Sequence, residues 1–298
     1  MPSILVIGDV MVDVVVRPEG PVVSGADRRA TIRQLPGGSG ANQAAWLAGE
    51  GVDVTFAGRV GHADHERQAA LLSGFGVRAR LAADRELPTG MLVTLLSPDG
   101  ERSFLTDRAA NTKLCRADLP DTLLDRIDLV HVSAYALFEA EPRGAVLDLL
   151  AAARRQGIPF SIDPASHSFL EEAGREAFLR WTKDARICFP NESEAAVLAG
   201  TVHVAQQLDL LAETYELVVL KCGTEGAHAA EANGGRWSVP VPAVEAVDSS
   251  GGGDAFLGGF LGAFLRGEGL EDCLRRGVAL GSRAVTALGG RPERADRR

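Results

Sequence analysis

Three consecutive glycines between two aspartates are the residues whose types and spacing best suit chemistry. Asp248 and Asp254 flank Gly251, Gly252 and Gly253 in VDSSGGGDAFLGGF, whose apolar end is typical of a buried helix. Unpaired N–H groups at a helix N-terminus bind phosphate oxygens, because they carry the positive end of the helix dipole. The stretch therefore predicts a phosphate-binding turn. A plain glycine-rich turn, with Asp254 only as the helix N-cap, explains the spacing about equally well.

Two common phosphate-binding motifs are absent from the sequence. It contains no GxxxxGK[ST] motif, and no GxGxxG follows the first predicted strand. The GGSG of residues 37–40 is followed by Ala-Asn-Gln and lacks the third glycine. A P-loop is therefore excluded, and any phosphate-binding elements must be arranged differently.

Composition and charge limit the class of protein. The 298 residues are 46% hydrophobic and 24% charged, which is typical of a globular protein with a full core. The net charge of −9 argues against nucleic acid and anionic membranes as partners. The apolar run in MPSILVIGDV is too short for a signal peptide or a membrane span. The four cysteines form no CxxC pair, so we expect reduced thiols in a cytoplasmic protein.

The elements that must position these residues follow an alternating pattern. Short β-branched runs alternate with helical patterns such as PRGAVLDLLAAARRQG. Continuous apolar strands that alternate with helices indicate a parallel sheet with right-handed crossovers. We therefore predict a doubly wound α/β fold with helices on both faces of a mostly parallel sheet. Its predicted strands are SILVIG, VDVTFAGRV, DLVHVS, IPFSID, ARICFP and ELVVLK.

Two regions break this pattern, at about residues 11–35 and 88–107. The first holds the strand-like runs MVDVVVRP and RRATIRQL, and the second holds TGMLVTLLS and ERSFLT around a Pro98-Asp99-Gly100 turn. Because neither has a helix between its strands, we expect a small antiparallel β lid inserted into one α/β domain of residues 1–298. The exposed edges of such a sheet need cover, which predicts a homodimer through the lids.

Five motifs in this order resemble those of the PfkB sugar kinases, the ribokinase-like family. DSSGGGD resembles the family signature D-T-x-G-A-G-D, with Ser249 in place of Thr and Gly252 in place of Ala. PGGSGANQAAWLAGEG is similar to the other signature, and GDVMVD, PNESE and LKCGTEG occur in family order. The resemblance covers essentially the whole chain.

This resemblance implies a ribokinase-like fold and a phosphotransferase with an alcohol acceptor. The reaction would transfer the γ-phosphoryl group of ATP to a hydroxymethyl group of a sugar-like substrate. Asp254 matches the catalytic base, and the backbone amides of Gly251, Gly252 and Gly253 would stabilise the transferred phosphoryl group. We expect Asp254 to stay ionised and weakly basic, because it lies near a helix N-terminus.

The resemblance also assigns the substrate side. Asp13, Gly37, Gly38 and Asn42 match substrate-contacting positions, although a hydrogen bond at a helix start also explains Asn42. Arg108 matches an arginine that recognises an acidic sugar in 2-keto-3-deoxygluconate kinases, and an exposed hairpin arginine is the alternative. Two departures from ribokinase, Ser39 for Lys and Met11 for Asn, argue against ribose itself.

On the nucleotide side, the resemblance implies ATP contacts at Asn191, Lys221, Gly223, Gly226 and Val278. It also assigns two cation roles. Glu194 would organise Mg²⁺ through water, and the Asn191/Glu194 spacing also predicts a helix capping box; both can hold. Asp248, with carbonyls of residues 286–290, would hold a monovalent cation such as K⁺, or would cap a strand end.

Three alternatives remain open from the sequence. A 2-keto-3-deoxygluconate-type sugar acid kinase and a nucleoside kinase share the scaffold. A catalytically silent sensor of sugar and nucleotide is the alternative outside enzymes. The identity of the sugar does not follow from these residues.

Overall fold

A nine-stranded sheet forms the centre of the molecule, in a computed structural model that describes residues 1–96 and 102–293. Its order is β13-β12-β11-β10-β9-β8-β1-β4-β5, in which β12 and β13 are antiparallel to their neighbours and the other strands are parallel. The strands are β1 Ser3–Ile7, β4 Asp53–Gly61, β5 Arg78–Asp84, β8 Leu129–Ser133, β9 Phe160–Asp163, β10 Ile187–Cys188, β11 Leu217–Lys221, β12 Ala227–Glu231 and β13 Arg236–Val239.

Helices cover both faces of this sheet. One buried cluster packs the sheet against α3 to α7, and a second packs it against α1, α2, α8 and α9. The helices are α1 Ser39–Gly49, α2 His65–Ser73, α3 Ala140–Arg155, α4 His167–Ala173, α5 Arg175–Thr182, α6 Glu192–Ala199, α7 Val204–Ala212, α8 Gly252–Leu265 and α9 Leu270–Ala284. The predicted doubly wound α/β architecture is confirmed. Every residue of β1 is buried because the strand has helices on both sides.

A second sheet of four strands, which we name the lid, has the order β3-β2-β6-β7. The two hairpins β2–β3 and β6–β7 are antiparallel, as predicted, but they join through a parallel β2–β6 pair. The parallel pair arises because β2 follows β1 and β6 follows β5, two parallel strands that end at the same edge of the main sheet. The lid strands are β2 Met11–Pro18, β3 Ala30–Gly37, β6 Gly90–Leu96 and β7 Arg102–Asp107.

Two further sequence-based expectations concern a turn in the lid and membrane-spanning helices. The predicted Pro98-Asp99-Gly100 turn lies outside the described residues. Within the described ranges, no single helix is long and apolar enough to cross a membrane, although the bent pair α6 and α7 together would meet that criterion by length and composition.

Candidate active site

A cavity of about 900 Å³ opens between the lid and one edge of the main sheet. Strands β1, β9 and β11 are parallel members of that sheet, so their carboxyl ends share this edge, where ligands of open α/β sheets bind. Helices α1 and α8 begin there. The lining residues include Asp9, Asp13, Asn42, Arg108, Gly251 and Asp254. The cavity thus brings together residues from three of the five motifs, and Arg108 from the second lid region.

The glycine turn borders this cavity at the start of α8. Gly251 is the N-cap, with φ of 76°, and a Cβ there would lie 2.3 Å from Gly290 Cα. Only glycine fits such a position. The N–H groups of Gly253 and Asp254 lie in the first helical turn, where the helix supplies no acceptor. The turn therefore has the geometry that an anion-binding site requires.

Asp254 is held by three side chains at the start of α1. Its Oδ1 accepts hydrogen bonds from Ser39 Oγ at 2.7 Å and from Gln43 Nε2 at 3.1 Å. Its Oδ2 accepts one from Asn42 Nδ2 at 3.0 Å. The beginnings of α1 and α8 therefore meet at this carboxylate, which still lines the cavity.

Burial raises the pKa of Asp254 to about 7. Hydrogen bonds from Asn42 and Ser39 favour the ionised form, the nearby Asp163 carboxylate disfavours it, and the Lys221 ammonium favours it. The expectation that the helix N-terminus keeps this group ionised and weakly basic was wrong, because desolvation outweighs the favourable contacts. A carboxylate with a pKa near neutrality is a more effective general base.

Asp13 on β2 faces the same cavity from the lid. Its Oδ1 is buried and has no hydrogen-bond partner within the described residues, and burial, with the Asp9 charge, raises its pKa to about 7. Gly37 leaves the space that this carboxylate occupies, since a Cβ there would lie 2.1 Å from Asp13 Oδ1. Gly38 follows as the N-cap of α1. A buried carboxylate oxygen without a partner is costly and points to a ligand hydroxyl.

Asn42 uses both ends of its amide within the protein. Its Nδ2 donates to Asp254, and its Oδ1 accepts from Arg291 Nε at 3.3 Å. Arg291 also donates to Gly37 O at 3.0 Å. The observed role of Asn42 is therefore to hold Asp254, and its contact with substrate stays a prediction.

Arg108 lies inside the cavity rather than on an exposed hairpin. Its side chain is 10% exposed, its guanidinium lies 4.3 Å from the centre of the Tyr135 ring, and its Nη1 is 3.7 Å from Asp9 Oδ2. Asp9 also accepts a hydrogen bond from Gly40 N at 3.0 Å. The alternative of an exposed arginine was wrong, and the charge of Arg108 is offset by Asp9.

Asn191 and Glu194 form the predicted capping box of α6. Asn191 Oδ1 accepts from Glu194 N at 2.9 Å, and Glu194 Oε2 accepts from Asn191 N at 2.9 Å. Glu194 is 2% exposed, and burial raises its pKa to about 7, with Lys221 opposing and Asp163 adding to the shift. Across the described ranges, no three His, Cys, Asp or Glu side chains converge on a metal site. Both oxygens of Glu194 accept hydrogen bonds from Asn191, so the role of this carboxylate toward Mg²⁺ through retained water stays a prediction.

The other predicted nucleotide residues lie near the carboxyl end of β11 or in the core. Lys221 Nζ is 3.1 Å from Asp163 Oδ2 and is the nearest atom, at 3.7 Å, that a Cβ on Gly253 would meet. Gly223 and Gly226 belong to the turn between β11 and β12, and Val278 is buried in α9. Lys221 thus lies beside the glycine turn, whereas the nucleotide contacts of all four stay predictions.

Asp248 contacts the loop that the sequence suggested for it. Its Oδ1 accepts from Ser250 N at 2.9 Å and its Oδ2 from Gly289 N at 3.0 Å. These bonds tie the glycine turn to the segment after α9. No described strand ends at Asp248, since β13 ends at Val239, so the strand-capping alternative was wrong. A monovalent cation at Asp248 stays a prediction.

Sequence reasoning missed several residues that the fold brings to the site, namely Asp9, Ser39, Gln43, Tyr135, Asp163 and Arg291. Asp163 ends the predicted strand IPFSID, at the same sheet edge as Lys221. That position was a usable signal, because parallel strands bring their carboxyl ends together. Gln43 follows Ser39 by four residues on α1, so the two share one helix face.

Comparison with known proteins places this geometry in a family. The family model described as pfkB family carbohydrate kinase matches residues 1–296. The chain is 29% identical to a ribokinase of Arabidopsis thaliana, over 100% of this chain and 79% of that protein. It is 29% identical to an aminoimidazole riboside kinase of Salmonella typhimurium, over 97% and 91% of the two chains.

A solved structure extends the comparison to the fold. A putative ribokinase II from E. coli, in complex with ATP and Mg²⁺, superposes with a TM-score of 0.88 over 99% of this chain and 96% of that one, at 23% identity. This likeness supports the ribokinase-like arrangement of a large mostly parallel sheet and a smaller one. The chain therefore belongs to the pfkB family of carbohydrate kinases, which are phosphotransferases with an alcohol group as acceptor.

Proposed function

We propose that this protein transfers the γ-phosphoryl group of ATP to a hydroxymethyl group of a monosaccharide or sugar-like substrate. The observation that carries this proposal is the grouping of the glycine turn, Asp254 and Asp13 around one cavity. The turn supplies donors for a phosphate, Asp254 supplies a base, and Asp13 supplies an acceptor for substrate hydroxyls.

Each group has one part in the transfer. Asp254 accepts the proton of the substrate hydroxyl while the hydroxyl oxygen bonds to the γ-phosphorus. The bond from that phosphorus to the bridging oxygen breaks, and ADP leaves. Backbone N–H groups of the glycine turn stabilise the charge on the phosphoryl oxygens, and Lys221 adds a positive charge beside them. Asp13 orients the substrate, so that proximity supplies much of the rate.

Mg²⁺, when bound, would neutralise charge on the ATP phosphates. Glu194 would hold it through water, since this carboxylate is buried beside Lys221 and Asp163. We also propose that Asp248 helps to bind a monovalent cation such as K⁺. Activity measured with Mg²⁺ alone and then with added K⁺ separates the two roles.

The lid closes over the substrate in this proposal and excludes water. We also propose that the protein works in the cytoplasm as a homodimer joined through the lids. Its four cysteines are free, which suits a reducing compartment.

A nucleoside is the second candidate substrate, favoured by the size and wall of the cavity. About 900 Å³ is larger than a monosaccharide requires. Apolar lid residues line one wall, namely Val15, Leu92, Leu96 and Phe104, and Tyr135 and Phe169 are among the other lining residues. Aromatic and aliphatic groups of this kind suit a base or another flat aglycone. Arg108 keeps a sugar acid as a third candidate, although Asp9 offsets its charge.

A substrate panel tests the proposal. Purified protein with MgATP should release ADP with one of three substrate classes: a free sugar (ribose or fructose), the sugar acid 2-keto-3-deoxygluconate, or a purine or pyrimidine nucleoside. Turnover with a nucleoside but not with free sugars would select the second candidate. Thermal stabilisation by ATP and a sugar without turnover of any member would instead indicate a silent sensor and overturn the kinase proposal.

The substitution Asp254→Asn tests the assigned base. Because general base catalysis contributes at least about a hundredfold, kcat should fall by that factor or more. Substrate binding, followed by thermal shift, should change little. Asp84→Asn is the matched control, since Asp84 is also buried but contacts Arg59 rather than the cavity. Full activity of Asp254→Asn would refute the role of Asp254.

A further inference from the structure

Gln43 is a fully buried amide that contacts the reacting carboxylate. Its side chain is 0% exposed. Its Nε2 lies 3.1 Å from Asp254 Oδ1, 3.0 Å from Asp163 Oδ2 and 2.9 Å from Ser39 Oγ. An amide nitrogen has two hydrogens, and two of these three oxygens belong to carboxylates. The NH₂ group therefore bridges Asp163 and Asp254, which lie 91 residues apart in sequence.

A buried histidine fixes the orientation of this amide. Gln43 Oε1 lies 3.0 Å from His131 Nε2, and His131 Nδ1 lies 2.8 Å from Ser161 Oγ. Burial lowers the pKa of His131 to about 4, so the ring is neutral and has one N–H group. Because Gln43 must donate to two carboxylates, its Oε1 must accept, which assigns the proton of His131 to Nε2. Ser161 then donates to Nδ1.

The same amide joins Asp254 to a buried ion pair. Asp163 Oδ2 also accepts from Lys221 Nζ at 3.1 Å, and its Oδ1 accepts from Ala165 N at 3.1 Å. Asp163 is thereby fixed by the backbone and by Lys221. Gln43 holds Asp254 at a set distance from this fixed carboxylate and separates two like charges.

We propose that Gln43 is a positioning residue for phosphoryl transfer, one that fixes the orientation and separation of Asp254 relative to the Asp163–Lys221 pair through an amide oriented by His131. The inference rests on the proposed role of Asp254 as base. A purely structural role would be met by an apolar side chain of the same size on this buried helix face. The convergence of three donors on Asp254, with Gln43 as the one that also reaches Asp163, is what a fixed base requires.

The first test is Gln43→Met, which keeps the volume and removes the amide. Misplacement of a catalytic group should lower kcat about 10- to 100-fold, with KM for both substrates nearly unchanged. The pKa of Asp254 should also rise, because the carboxylate loses a hydrogen-bond donor and no amide remains between it and the Asp163 charge. The acid limb of the kcat profile should therefore move to higher pH. The other groups facing Asp254 are Ser39 and Asn42 on α1, Lys221 on β11 and Tyr135 after β8, and all remain.

The second test is Gln43→Glu, whose protonated carboxyl group can replace the NH₂ donor. At acid pH it should donate to Asp254 and retain part of the activity. At alkaline pH it becomes a third carboxylate beside Asp163 and Asp254, so activity relative to wild type should fall as pH rises. This slope is opposite to the one expected for Gln43→Met, and a merely structural residue would not produce it.

Gln68 provides a matched control for both variants. It is also 0% exposed and also donates to a carboxylate, Asp64 Oδ2 at 2.6 Å, but it lies on α2. Gln68→Met and Gln68→Glu should lower the melting temperature and leave kcat and its pH profile unchanged. Rates are expressed per folded protein, from circular dichroism at the assay temperature.

The outcomes separate this inference from the proposed function. Wild-type kcat and pH profile in Gln43→Met, or the same pH-independent loss in both Gln43 variants, would overturn the positioning role. A Gln43→Met protein that does not fold leaves the opposite pH slope of Gln43→Glu as the deciding observation. Full activity of Asp254→Asn, or an inactive wild type, would instead refute the proposed function.

Discussion

Three carboxyl groups at the site share one physical property. Burial raises the pKa of Asp13, of Glu194 and of Asp254 to about 7 in each case. Each is costly to keep ionised in the folded protein, because desolvation disfavours the charged form. Amide or apolar side chains would suit these desolvated positions better if stability alone decided. Strongly shifted groups cluster at functional sites, which supports the roles proposed for these three carboxylates.

The pKa of Asp254 predicts the direction in which activity depends on pH. Its folded-state pKa is raised, so the group is protonated below about pH 7 and ionised above it. Only the ionised form accepts the substrate proton, so kcat should fall roughly tenfold per unit well below pH 7 and level off at higher pH. Steady-state kinetics with saturating substrates over pH 5.5–8.5, roughly one and a half units on either side of that pKa, measure this limb.

The titration of Asp13 can be distinguished from that of Asp254 because the two should affect different kinetic parameters. Asp13 lies on the lid at the substrate side, so its titration should enter through KM rather than kcat. The residual activity of Asp254→Asn should lack the acid limb. A kcat that stays level down to pH 5.5, or an unchanged limb in Asp254→Asn, would contradict the assignment.

At the scale of elements, Gly251 and Gly253 in the glycine turn at the start of α8 have different roles. Gly251 is required by the backbone, because its φ is 76° and a Cβ would lie 2.3 Å from Gly290 Cα. A Cβ on Gly253 would meet nothing closer than Lys221 Nζ at 3.7 Å, an ordinary contact distance. Gly253 is exposed. Packing therefore does not require the missing side chain of Gly253, and the proposed approach of a phosphate would account for it.

Alanine substitutions at Gly251 and Gly253 should distinguish a structural role from a role in ligand binding. Gly251→Ala should lower the free energy of unfolding by about 1–3 kcal/mol or more, because strain and a backbone clash coincide. Gly253→Ala should change stability by less than about 1 kcal/mol, since alanine favours the helix. Its methyl group would stand where the phosphate approaches, so KM for ATP should rise or kcat fall about tenfold or more. Thermal unfolding and steady-state kinetics of both variants measure the difference.

Two outcomes would contradict the roles assigned to Gly253 and Gly251. If Gly253→Ala binds and turns over ATP like the wild type, the absence of a side chain at Gly253 has no catalytic reason. If Gly251→Ala is fully stable, the turn is not fixed by the contact with Gly290.

Local patterns explain how much of these elements the sequence predicts. The six predicted strands are all present, because fully buried parallel strands read as continuous apolar runs. Three strands of the main sheet were not predicted, since polar, half-exposed or alanine residues replace such a pattern in them. They are β5, RARLAAD, β12, AHAAE, and β13, RWSV. The motif residues lie at the site because each follows a strand or begins a helix. The contact between Gln43 and Asp163 was missed because it spans 120 residues, and no local pattern encodes it.

At the scale of the whole molecule, the site depends on two sheets. The main sheet positions Asp163 and Lys221 and receives α8 with Asp254, whereas the lid supplies Asp13. The chain crosses between them at one edge, because β1 continues into β2 and β5 into β6. A shift of the lid would thus move Asp13 relative to Asp254, so the position of the lid and the chemistry are coupled.

The outer face of the lid bears on the assembly of the molecule. Along the lid strands, alternate residues line the cavity, and the residues between them point away from it. The outward positions carry seven apolar residues, namely Val14, Val16, Ile32, Met91, Val93, Leu95 and Leu105, together with the polar Gln34, Ser103 and Asp107. Ile32 is 62% exposed and Leu105 is 66% exposed. Exposed apolar side chains grouped on one face of a sheet suit a protein interface.

We expect this outer face to join two copies of the chain. Sedimentation or light scattering should give twice the chain mass of 31.4 kDa. Ile32→Asp and Leu105→Asp should yield monomers, because a charge buried in an apolar interface is strongly unfavourable. Val202→Asp is the control, since Val202 is 78% exposed between α6 and α7 and should leave the dimer intact. The monomeric variants should also lose affinity for the sugar, because Asp13 lies on the sheet that the partner would support. A monomeric wild type, or an unchanged dimer in both lid variants, would contradict this assembly.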